Sequence, residues 1–300
     1  MDKVQKYYDI LIIGGGAAGM AAALAAEKAG FERILIAERK ERFGGVLDQC
    51  VHNGFGLGYF KEDLTGIQYS ERFIDLINNS HVDIRLNCMV LKINPDRTAL
   101  LAGPDGFTTI SFDRCILATG CRERSIYSQA ISGTRPSGIM TCGTAQKLIN
   151  IDRLDIGDDI VILGTGDVGQ IMARQLVQAG KNVIAMIEKE PVMGGLKRNQ
   201  ENCIRAYNIP VMLNSEITEI QGIGRISGVV VRHNDTGNSE LISCSTLLTA
   251  IGMIPEKELA ADLIKEGQLP EWLTCVGNCD YVHDIVDSVT QQALNIFTLH

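Results

Sequence analysis

Residues 8–19, Tyr-Asp-Ile-Leu-Ile-Ile-Gly-Gly-Gly-Ala-Ala-Gly, decide the fold. Ile10–Ile13 is short, apolar and rich in β-branched residues, which predicts a buried strand of a parallel sheet. Gly14, Gly16 and Gly19 then match the spacing G-x-G-x-x-G, and the alanines around them predict a helix that packs closely on the sheet. The stretch therefore predicts a strand, a tight turn and a helix in that order.

Each glycine has a physical role in such a unit. Gly14 permits the tight turn, Gly16 lets the backbone approach a pyrophosphate, and Gly19 lets helix and strand touch. The helix N-terminus offers unpaired N–H groups and a positive dipole end to that phosphate. A second strand, Arg33–Ala37, ends at Glu38, where an acid can accept hydrogen bonds from a ribose 2′-hydroxyl. These features predict a dinucleotide-binding unit.

The same unit occurs a second time, and every matched position lies 150 residues further along the chain. The matched pairs are Gly14 and Gly164, Gly16 and Gly166, Gly19 and Gly169, Gly30 and Gly180, Glu38 and Glu188, and Gly44-Gly45 and Gly194-Gly195. A constant offset at so many turn positions is improbable by chance. The chain is therefore predicted to hold two homologous units and to bind two dinucleotides.

Composition narrows the class of protein. The chain has 300 residues, which predicts about two domains, and 45% hydrophobic residues with 31 glycines, which fits a soluble α/β enzyme. The net charge of −8 argues against nucleic acid and anionic membranes as partners. Residues 10–26 are uncharged, but their consecutive glycines favour a phosphate loop over a signal or membrane segment. Nine cysteines without a regular framework predict a reducing cytoplasm.

We predict an α/β fold with two Rossmann-like three-layer dinucleotide-binding domains, each with a small β-meander. The second domain, 121–246, is inserted in the first, 1–120 and 247–300. Helices are predicted over 61–79, with Leu64, Phe73, Leu76 and Ile77 in the core, over 144–150, and from Asp284 to the end. The predicted strands outside the glycine units are 83–86, 89–93, 98–102, 107–112, 115–120, 211–213, 217–220, 225–231, 240–244, 247–252 and 272–276.

These motifs resemble the two-dinucleotide-binding flavoproteins, the pyridine nucleotide–disulfide oxidoreductase superfamily, in the compact arrangement of thioredoxin reductase. The resemblance is carried by the two glycine loops with their acids, by Ala118-Thr119-Gly120 and by Gly277-Asn278. It extends over nearly the whole chain. It implies that the first unit binds FAD and the second binds NAD(P)H.

The resemblance also implies which residues contact FAD. Glu38 would hold the adenosine ribose, Val90 would meet adenine, Gly45 and Val46 would line the flavin, and the last helix would direct N–H groups at the flavin pyrimidine. The strand end 118–120 would pass under the pyrophosphate. The full implied set is Gly14, Gly16, Ala17, Ala18, Gly19, Glu38, Arg39, Gly45, Val46, Val90, Ala118, Thr119, Gly120, Gly277, Asn278, Gln292 and Ala293.

The implied NAD(P) contacts lie in and after the second unit. Glu188 would repel a 2′-phosphate and accept from a 2′-hydroxyl, which favours NADH over NADPH, although Lys189 beside it weakens this preference. Lys197, Arg198 and Arg205 could steer the nucleotide phosphates or form an ordinary solvated face. The full implied set is Gly164, Gly166, Asp167, Val168, Gly169, Glu188, Lys189, Ile251 and Gly252.

The chain departs from the superfamily at the redox dithiol. Disulfide reductases carry a cysteine pair after the first Gly-Gly, but Val46 and Leu47 follow Gly45 here. The thioredoxin-reductase type carries C-x-x-C near the second unit, where this chain has Cys142-Gly-Thr-Ala. A lone thiol cannot cycle through an intramolecular disulfide, so disulfide reductase activity is not expected. Asn278 also replaces the usual aspartate, so it can hydrogen-bond a flavin hydroxyl but brings no charge.

A narrower resemblance accommodates these departures. Residues 44–57, 64–66 and 277–287 look like the FAD subunits of dye-linked or oxygen-linked amine dehydrogenases. That group includes opine oxidase, archaeal L-proline dehydrogenase and hydrogen cyanide synthase subunits, and relatives encoded beside glycerol-3-phosphate dehydrogenases. Such subunits are often longer and work with a second flavin subunit.

Four further residues are weighed as site candidates. Cys50 and His52 follow the first Gly-Gly pair, beside the implied flavin, and could contact substrate or tune the ring. The competing interpretation is a small buried thiol and a hydrogen-bonded loop histidine. Cys275 and Cys279 have C-x-x-x-C spacing but no second ligand pair, so no metal site is predicted.

We expect an FAD-dependent oxidoreductase in which a hydride passes between NAD(P)H and flavin and the electrons reach an unidentified acceptor. One alternative is the flavin subunit of an amino-acid, opine or glycerol-3-phosphate dehydrogenase complex. A second alternative is a non-catalytic flavin-binding scaffold. The expected partners are a small-molecule substrate or electron acceptor, a second flavoprotein subunit, and further copies of the chain in an oligomer.

Overall fold

A computed structural model describes residues 6–298 and divides the chain into two compact units. The first unit combines Met1–Arg122 with Ile254–His300, and the second is Glu123–Met253. The division after residue 253 differs from the predicted boundary after 246. The difference arises because Thr246–Thr249 pairs with Asp159–Leu163 inside the second unit's sheet.

The N-terminal part of the first unit contains the first glycine loop. Its elements are β1 (Lys6–Ile13), α1 (Ala17–Lys28), β2 (Ile34–Ala37), a 3₁₀ turn (Leu47–Gln49), β3 (Asn53–Phe55), β4 (Leu64–Thr65), α2 (Gly66–Asn78), β5 (Asp83–Arg85), β6 (Met89–Ile93), β7 (Thr98–Gly103) and β8 (Gly106–Leu117). The short strand β9 (Cys121–Glu123) follows at the passage to the second unit.

The second unit contains the second glycine loop. Its elements are a 3₁₀ turn (Ile126–Ser128), β10 (Ser132–Gly133), β11 (Ile139–Thr141), α3 (Cys142–Asn150), β12 (Asp159–Leu163), α4 (Asp167–Gln178), β13 (Asn182–Ile187), α5 (Lys197–Asn199), a π-helical segment (Gln200–Ile204), a 3₁₀ turn (Arg205–Tyr207), β14 (Val211–Met212), β15 (Ser215–Ile223), β16 (Arg225–His233), β17 (Ser239–Ser243) and β18 (Thr246–Thr249). The chain then returns to the first unit.

The C-terminal part completes the first unit. Its elements are β19 (Met253–Pro255), a 3₁₀ segment (Glu258–Leu263), β20 (Leu273–Cys275), a 3₁₀ turn (Gly277–Cys279) and α6 (Val286–Leu294). Helix α6 is shorter at both ends than the helix predicted from Asp284 onward. The main sheet has the strand order β5-β2-β1-β8-β7-β6, with β20 parallel to β8.

Two strand predictions in the first unit need correction. The predicted strands 107–112 and 115–120 are one continuous strand, β8, because β7 pairs with its first half and β1 with its second half. The predicted strand 83–86 is not part of the meander: β5 pairs in parallel with β2 at the edge of the main sheet. The meander of this unit is therefore β6, β7 and β8.

Helix α2 begins five residues later than the predicted start at 61. Thr65 accepts a hydrogen bond from the backbone N–H of Gln68, and the Gln68 side chain accepts from the Thr65 N–H. This capping box fixes the start of α2 directly after Thr65. Leu64, which lies inside the predicted helix, is instead part of the paired strand β4. Phe73 and Ile77 are buried as predicted, but Leu76 is exposed because it lies on the outer face of the helix.

The second unit has two sheets. A five-stranded parallel sheet has the order β11-β18-β12-β13-β14, and a four-stranded sheet has the order β10-β15-β16-β17. The predicted meander strand 211–213 is in fact the edge strand β14, which pairs in parallel with β13. Val161 and Leu247 of the first sheet share a buried cluster with Ile217 and Val229 of the second, so the two sheets pack face to face.

Candidate dinucleotide sites

The first glycine loop is a backbone cradle. A Cβ on Gly14 would lie 2.5 Å from the Ala118 carbonyl oxygen, and a Cβ on Gly19 would lie 1.8 Å from the Gly14 carbonyl oxygen. A Cβ on Gly16 or Gly120 would meet nothing within 4 Å. Gly14 and Gly19 are thus required by close contacts inside the protein, whereas Gly16 and Gly120 border open space. This arrangement fits a pyrophosphate lying across the loop.

The N-terminus of α1 faces that open space without a protein cap. Its N-cap residue, Gly16, has no side chain, and the first turn carries no acidic residue. Ala17 and Ala18 are nearly buried and begin the helix. Their short side chains leave the helix N–H groups and the positive dipole end available to an anion.

Glu38 is buried beside the first loop. Its Oε2 accepts a hydrogen bond from Gly15 N at 2.6 Å, its Oε1 accepts from Lys40 N at 2.8 Å, and its side chain is 5% exposed. A Cβ on Gly15 would lie 2.1 Å from Cδ1 of Phe43, so the Phe43 ring lies directly on this glycine. Each carboxylate oxygen retains a lone pair for a ribose hydroxyl. Arg39, which follows Glu38, is exposed.

The segment after the first Gly-Gly pair approaches the same loop. Gly45 has φ +65°, and a Cβ there would lie 3.3 Å from Gly16 Cα. Val46 is 62% exposed, so its side chain is available to a ligand. Val90, in contrast, is buried in the core, so only its backbone could contact adenine.

A polar network encloses the turn at Gly277. Gln292 Oε1 accepts from Gly277 N at 2.7 Å and from His283 Nε2 at 3.1 Å, while Gln292 Nε2 donates to Asp280 at 2.9 Å. Since Gln292 Oε1 can only accept, His283 Nε2 must carry the hydrogen. Asn278 Oδ1 accepts from His283 N at 2.9 Å. The Asn278 amide N–H₂ therefore remains as its donor group toward a ligand.

The structure corrects the expected position of Gln292 and Ala293 within the last helix. Gln292 and Ala293 lie near the end of α6 rather than in its first turns. The Gln292 side chain holds the Gly277 turn, and Ala293 is 0% exposed within the core. The Ala293 side chain therefore offers no surface to a ligand in this structure, and a contact between Ala293 and flavin stays a prediction. The first turn of α6 contains Asp287, which accepts from the N–H groups of Gly58 and Tyr59.

The second glycine loop repeats the first. A Cβ on Gly164 would lie 2.4 Å from the Ala250 carbonyl oxygen, and a Cβ on Gly169 would lie 2.9 Å from Ala250 Cβ. Gly166 and Gly252 have more open space, with no atom closer than 3.7 Å to a Cβ placed on either. Ala250 thus has the place that Ala118 has in the first unit. This loop also fits a pyrophosphate.

Helix α4 differs from α1 in its first turn. Asp167 Oδ1 accepts from Leu196 N at 2.8 Å and from Asn199 Nδ2 at 2.7 Å. The aspartate thereby joins the start of α4 to the segment after the second Gly-Gly pair. Lys197 and Arg198, in that segment, are exposed and supply positive charge near the loop.

Glu188 is held by the second loop. Its Oε2 accepts from Thr165 N at 3.1 Å and from Thr165 Oγ1 at 2.5 Å, and its Oε1 accepts from Glu190 N at 3.1 Å. Glu188 is partly exposed and Lys189 is exposed. Val168 and Ile251 are partly exposed at the loop. The structure therefore brings the predicted residues of this unit together around one loop.

The cysteines are poorly suited to thiol chemistry. Burial raises the pKa of Cys50 to about 12, and its Sγ contacts the Val46 carbonyl oxygen. Burial, with the nearby Glu123 carboxylate, also raises the pKa of Cys142 well above its usual value. Hydrogen bonds from Cys275 and Thr119 lower the pKa of Cys279, but Cys279 is fully buried. Within residues 6–298, no disulfide forms and no side-chain cluster is arranged to hold a metal ion.

His52 is a loop residue in the structure. Its Nδ1 lies 2.9 Å from the Asn53 carbonyl oxygen, and its ring packs on Phe55 at 5.1 Å. Cys50 is thus a buried thiol with a raised pKa, and His52 is a loop histidine that contacts a backbone carbonyl oxygen.

Several residues that shape the sites were not singled out from the sequence. They are Phe43, Thr165, Gln170, Asp280 and His283. The 150-residue offset contained a signal for two of them: Gly15 corresponds to Thr165, and Phe43 corresponds to Met193. Comparing the residues that differ between the two loops, rather than only those that match, would have indicated these positions.

The comparisons with known proteins agree with this architecture. A family model described as pyridine nucleotide-disulphide oxidoreductase matches residues 8–270. The chain belongs to this family of flavin- and nicotinamide-dependent oxidoreductases. Within residues 6–298, no helix has the length and apolar character needed to cross a bilayer.

Individual relatives are distant. Thioredoxin reductase of Mycolicibacterium smegmatis is 27% identical over 305 residues, a match that covers 98% of this chain and 93% of the relative. Hydrogen cyanide synthase subunit HcnB of Pseudomonas aeruginosa is 26% identical over 281 residues, covering 84% of this chain and 58% of HcnB. The crystal structure of T. acidophilum thioredoxin reductase has a TM-score of 0.77 at 21% identity, covering 97% and 96% of the two chains. That structural likeness supports the two-domain Rossmann fold.

Proposed function

We propose that the protein is an FAD-dependent NADH oxidoreductase that works without an active-site disulfide. The observation that carries the proposal is the pair of glycine cradles, each with a carboxylate held by a backbone N–H of its own loop. When bound, the two cofactors supply the redox chemistry, a hydride passing from nicotinamide to flavin. The chain supplies binding and orientation.

The first unit is proposed to hold FAD. Glu38 accepts from the adenosine ribose, the N-terminus of α1 faces the pyrophosphate, and Val46 and the Asn278 amide face the flavin half. The residues assigned to FAD are Gly14, Gly16, Ala17, Ala18, Gly19, Glu38, Arg39, Gly45, Val46, the backbone of Val90, Ala118, Thr119, Gly120, Gly277 and Asn278. Gln292 acts on this site by holding the Gly277 turn.

The second unit is proposed to hold NADH. The Glu188 carboxylate accepts from a ribose 2′-hydroxyl and repels a 2′-phosphate. This repulsion outweighs the attraction of Lys189, which is exposed to solvent, whereas Glu188 is held by the loop. The residues assigned to NADH are Gly164, Gly166, Asp167, Val168, Gly169, Glu188, Lys189, Ile251 and Gly252.

The absence of a working dithiol rests on the surroundings of Cys142. Cys142 and Ala145 both lie fully buried on α3, where the thioredoxin-reductase pattern would place two cysteines. Both oxygens of Glu123 accept from Gly143 N, at 3.0 and 2.9 Å. A carboxylate at this helix N-terminus opposes thiolate formation at Cys142. Electrons therefore leave the flavin for an acceptor other than a disulfide of this chain.

A second candidate function is the flavin subunit of a dehydrogenase complex. It is favoured by the similarity to HcnB, which is named as a subunit of hydrogen cyanide synthase. In this case the flavin is reduced by an amino acid or opine on a partner subunit, and the second unit binds NAD or another adenylate. In a variant of this candidate, the chain binds flavin as a non-catalytic scaffold for the partner dehydrogenase.

An absorption spectrum followed by anaerobic addition of NADH tests the proposal. The purified protein should be yellow and should bleach within seconds at micromolar to millimolar NADH, the usual range of substrate affinity. A yellow protein that stays oxidised with NADH and NADPH would contradict the NADH assignment. Bleaching by an amine or opine in the presence of a partner would then establish the second candidate.

A further inference from the structure

Thr165 connects the second glycine loop to its acid. Its Oγ1 donates to Glu188 Oε2 at 2.5 Å and accepts from Gly194 N at 2.8 Å. Its backbone N–H donates to the same carboxylate oxygen at 3.1 Å. Thr165 therefore contributes two of the three donors that the described part of the chain directs at the Glu188 carboxylate.

The direction of this hydrogen-bond relay is fixed. The Gly194 N–H can only donate, so the Thr165 hydroxyl must accept from it and point its own hydrogen at Glu188. Among residues 6–298, Glu188 Oε2 accepts from two donors, whereas Oε1 accepts from Glu190 N alone. The carboxylate is thereby turned so that Oε1 has the capacity to accept from a ligand hydroxyl.

Gln170 supports the same relay from the other side. Its Nε2 donates to the Thr165 carbonyl oxygen at 2.6 Å and to the Gly194 carbonyl oxygen at 2.8 Å. Thr165 and Gln170 are both 0% exposed. Because the Thr165 side chain has no accessible surface, it cannot touch a bound nucleotide and acts only through Glu188.

We propose that Thr165 is a positioning residue that sets the preference of the second unit for an unphosphorylated ribose. The inference rests on the proposed function, in which Glu188 accepts from the 2′-hydroxyl. Without the hydroxyl of Thr165, the Glu188 carboxylate would lose its shortest hydrogen bond. It would then no longer be held in one orientation. The nucleotide would then lose part of the ribose contact without any change in its phosphate contacts.

Binding to flavin-loaded protein tests this inference directly. Calorimetric titration with ADP-ribose and with 2′-phospho-ADP-ribose should be carried out on wild type, Thr165→Val and Thr165→Ser. Thr165→Val preserves the shape of the side chain but removes the hydroxyl, and we expect about tenfold weaker ADP-ribose binding with little change for the phosphorylated analogue. Thr165→Ser keeps the hydroxyl and should stay within threefold of wild type.

Kinetics give a second readout. In anaerobic flavin reduction, Thr165→Val should raise the half-saturating NADH concentration about tenfold and leave the limiting rate within twofold. Thr165→Ala, which removes the same hydroxyl with less steric demand, should behave in the same way if the valine variant does not fold. An unchanged preference in the hydroxyl-free variant, or a serine variant as defective as the valine variant, would overturn the inference.

The variant Glu188→Ala distinguishes a failure of the proposed NADH site from a failure of the proposed positioning role of Thr165. If this variant keeps the wild-type preference for ADP-ribose, the proposed NADH site fails, and the role of Thr165 fails with it. If Glu188→Ala loses the preference but Thr165→Val retains it, the NADH site stands and only the positioning role of Thr165 is wrong.

Discussion

The first and second glycine loops hold their acids with the same backbone donors but enclose them differently. Glu38 accepts from the N–H groups of residues 15 and 40, and Glu188 accepts from those of residues 165 and 190, at the same 150-residue offset. The backbone bonds are 2.6 and 2.8 Å in the first unit and 3.1 Å in the second. The second loop adds the hydroxyl of Thr165, for which Gly15 has no equivalent.

The residues packed around each loop explain why Thr165 has no equivalent in the first unit. The Phe43 ring lies on Gly15 and leaves no room for a Cβ, so the first acid is buried by packing. The second loop has a side chain at the equivalent position, and hydrogen bonds replace the aromatic contact. A packed, buried acid suits a ligand that stays bound, whereas a more exposed acid held by polar contacts suits one that exchanges.

Matched glycine substitutions should show the largest difference between the loops. In Gly19→Ala the new methyl group would lie 1.8 Å from the Gly14 carbonyl oxygen. In Gly169→Ala it would lie 2.9 Å from Ala250 Cβ and 3.1 Å from the Gly164 carbonyl oxygen, which is a much milder overlap. We expect Gly19→Ala to lower stability by about 3 kcal/mol or more and to abolish flavin retention. Gly169→Ala should lower it by about 1 kcal/mol and keep the flavin. Thermal melting and the ratio of absorbance at the flavin band to that of protein measure both effects.

Equal losses of stability in the two variants would contradict the comparison. Gly16→Ala serves as a control for folding, since its methyl group meets no protein atom within 4 Å. It should melt near the wild-type temperature when measured without flavin.

Removal of the two acids should separate the two ligands. Glu38→Ala leaves the buried N–H of Gly15 and the part-buried N–H of Lys40 without their acceptor. We expect flavin affinity to fall at least about tenfold. Glu188→Ala should retain full flavin content and raise the half-saturating NADH concentration about tenfold. Flavin content of the purified variants and anaerobic NADH titration check the two outcomes. Full flavin content in Glu38→Ala would sink the assignment of the first unit.

The smallest effect is expected from the thiols, for which the two units should behave alike. With a pKa of about 12 for Cys50, roughly one thiol in ten thousand is ionised at pH 8, and Cys142 is also shifted upward. Cys50→Ser and Cys142→Ser should each leave the rate of NADH-driven flavin reduction within twofold of wild type. Loss of reduction in Cys142→Ser would restore a redox role for that thiol.

The sequence predicts the features that each unit carries within a short stretch. The roles of Gly14 and Gly164 follow from backbone sterics at a strand end, so their spacing alone located both loops and both acids. The start of α2 is also determined locally, by the capping box of Thr65 and Gln68. The helical spacing of apolar residues nevertheless predicted an earlier start.

Contacts between distant residues were not predictable in this way. The packing of Phe43 on Gly15, the bond from Gly194 to Thr165 and the network of Gln292 with Gly277 join segments whose proximity depends on the finished fold. Likewise, a short apolar strand such as β14 fits a meander or a sheet edge equally well. Only the pairing with β13 decides between them.

The insertion of one unit in the other has a consequence for the order in which the protein is built on the ribosome. The last main-sheet strand of the first unit, β20, and the helix α6 that packs on α1 come after residue 253, where the second unit is already complete. During translation the second unit therefore has all of its sheet strands while the first still lacks β20 and α6. In the nascent sheet of the first unit, the segment Cys115–Leu117 of β8 waits for its pairing with β20 until β20 is made. The turn at Gly277 is synthesised later still. If FAD contacts this turn as proposed, complete FAD binding follows the synthesis of the whole second unit.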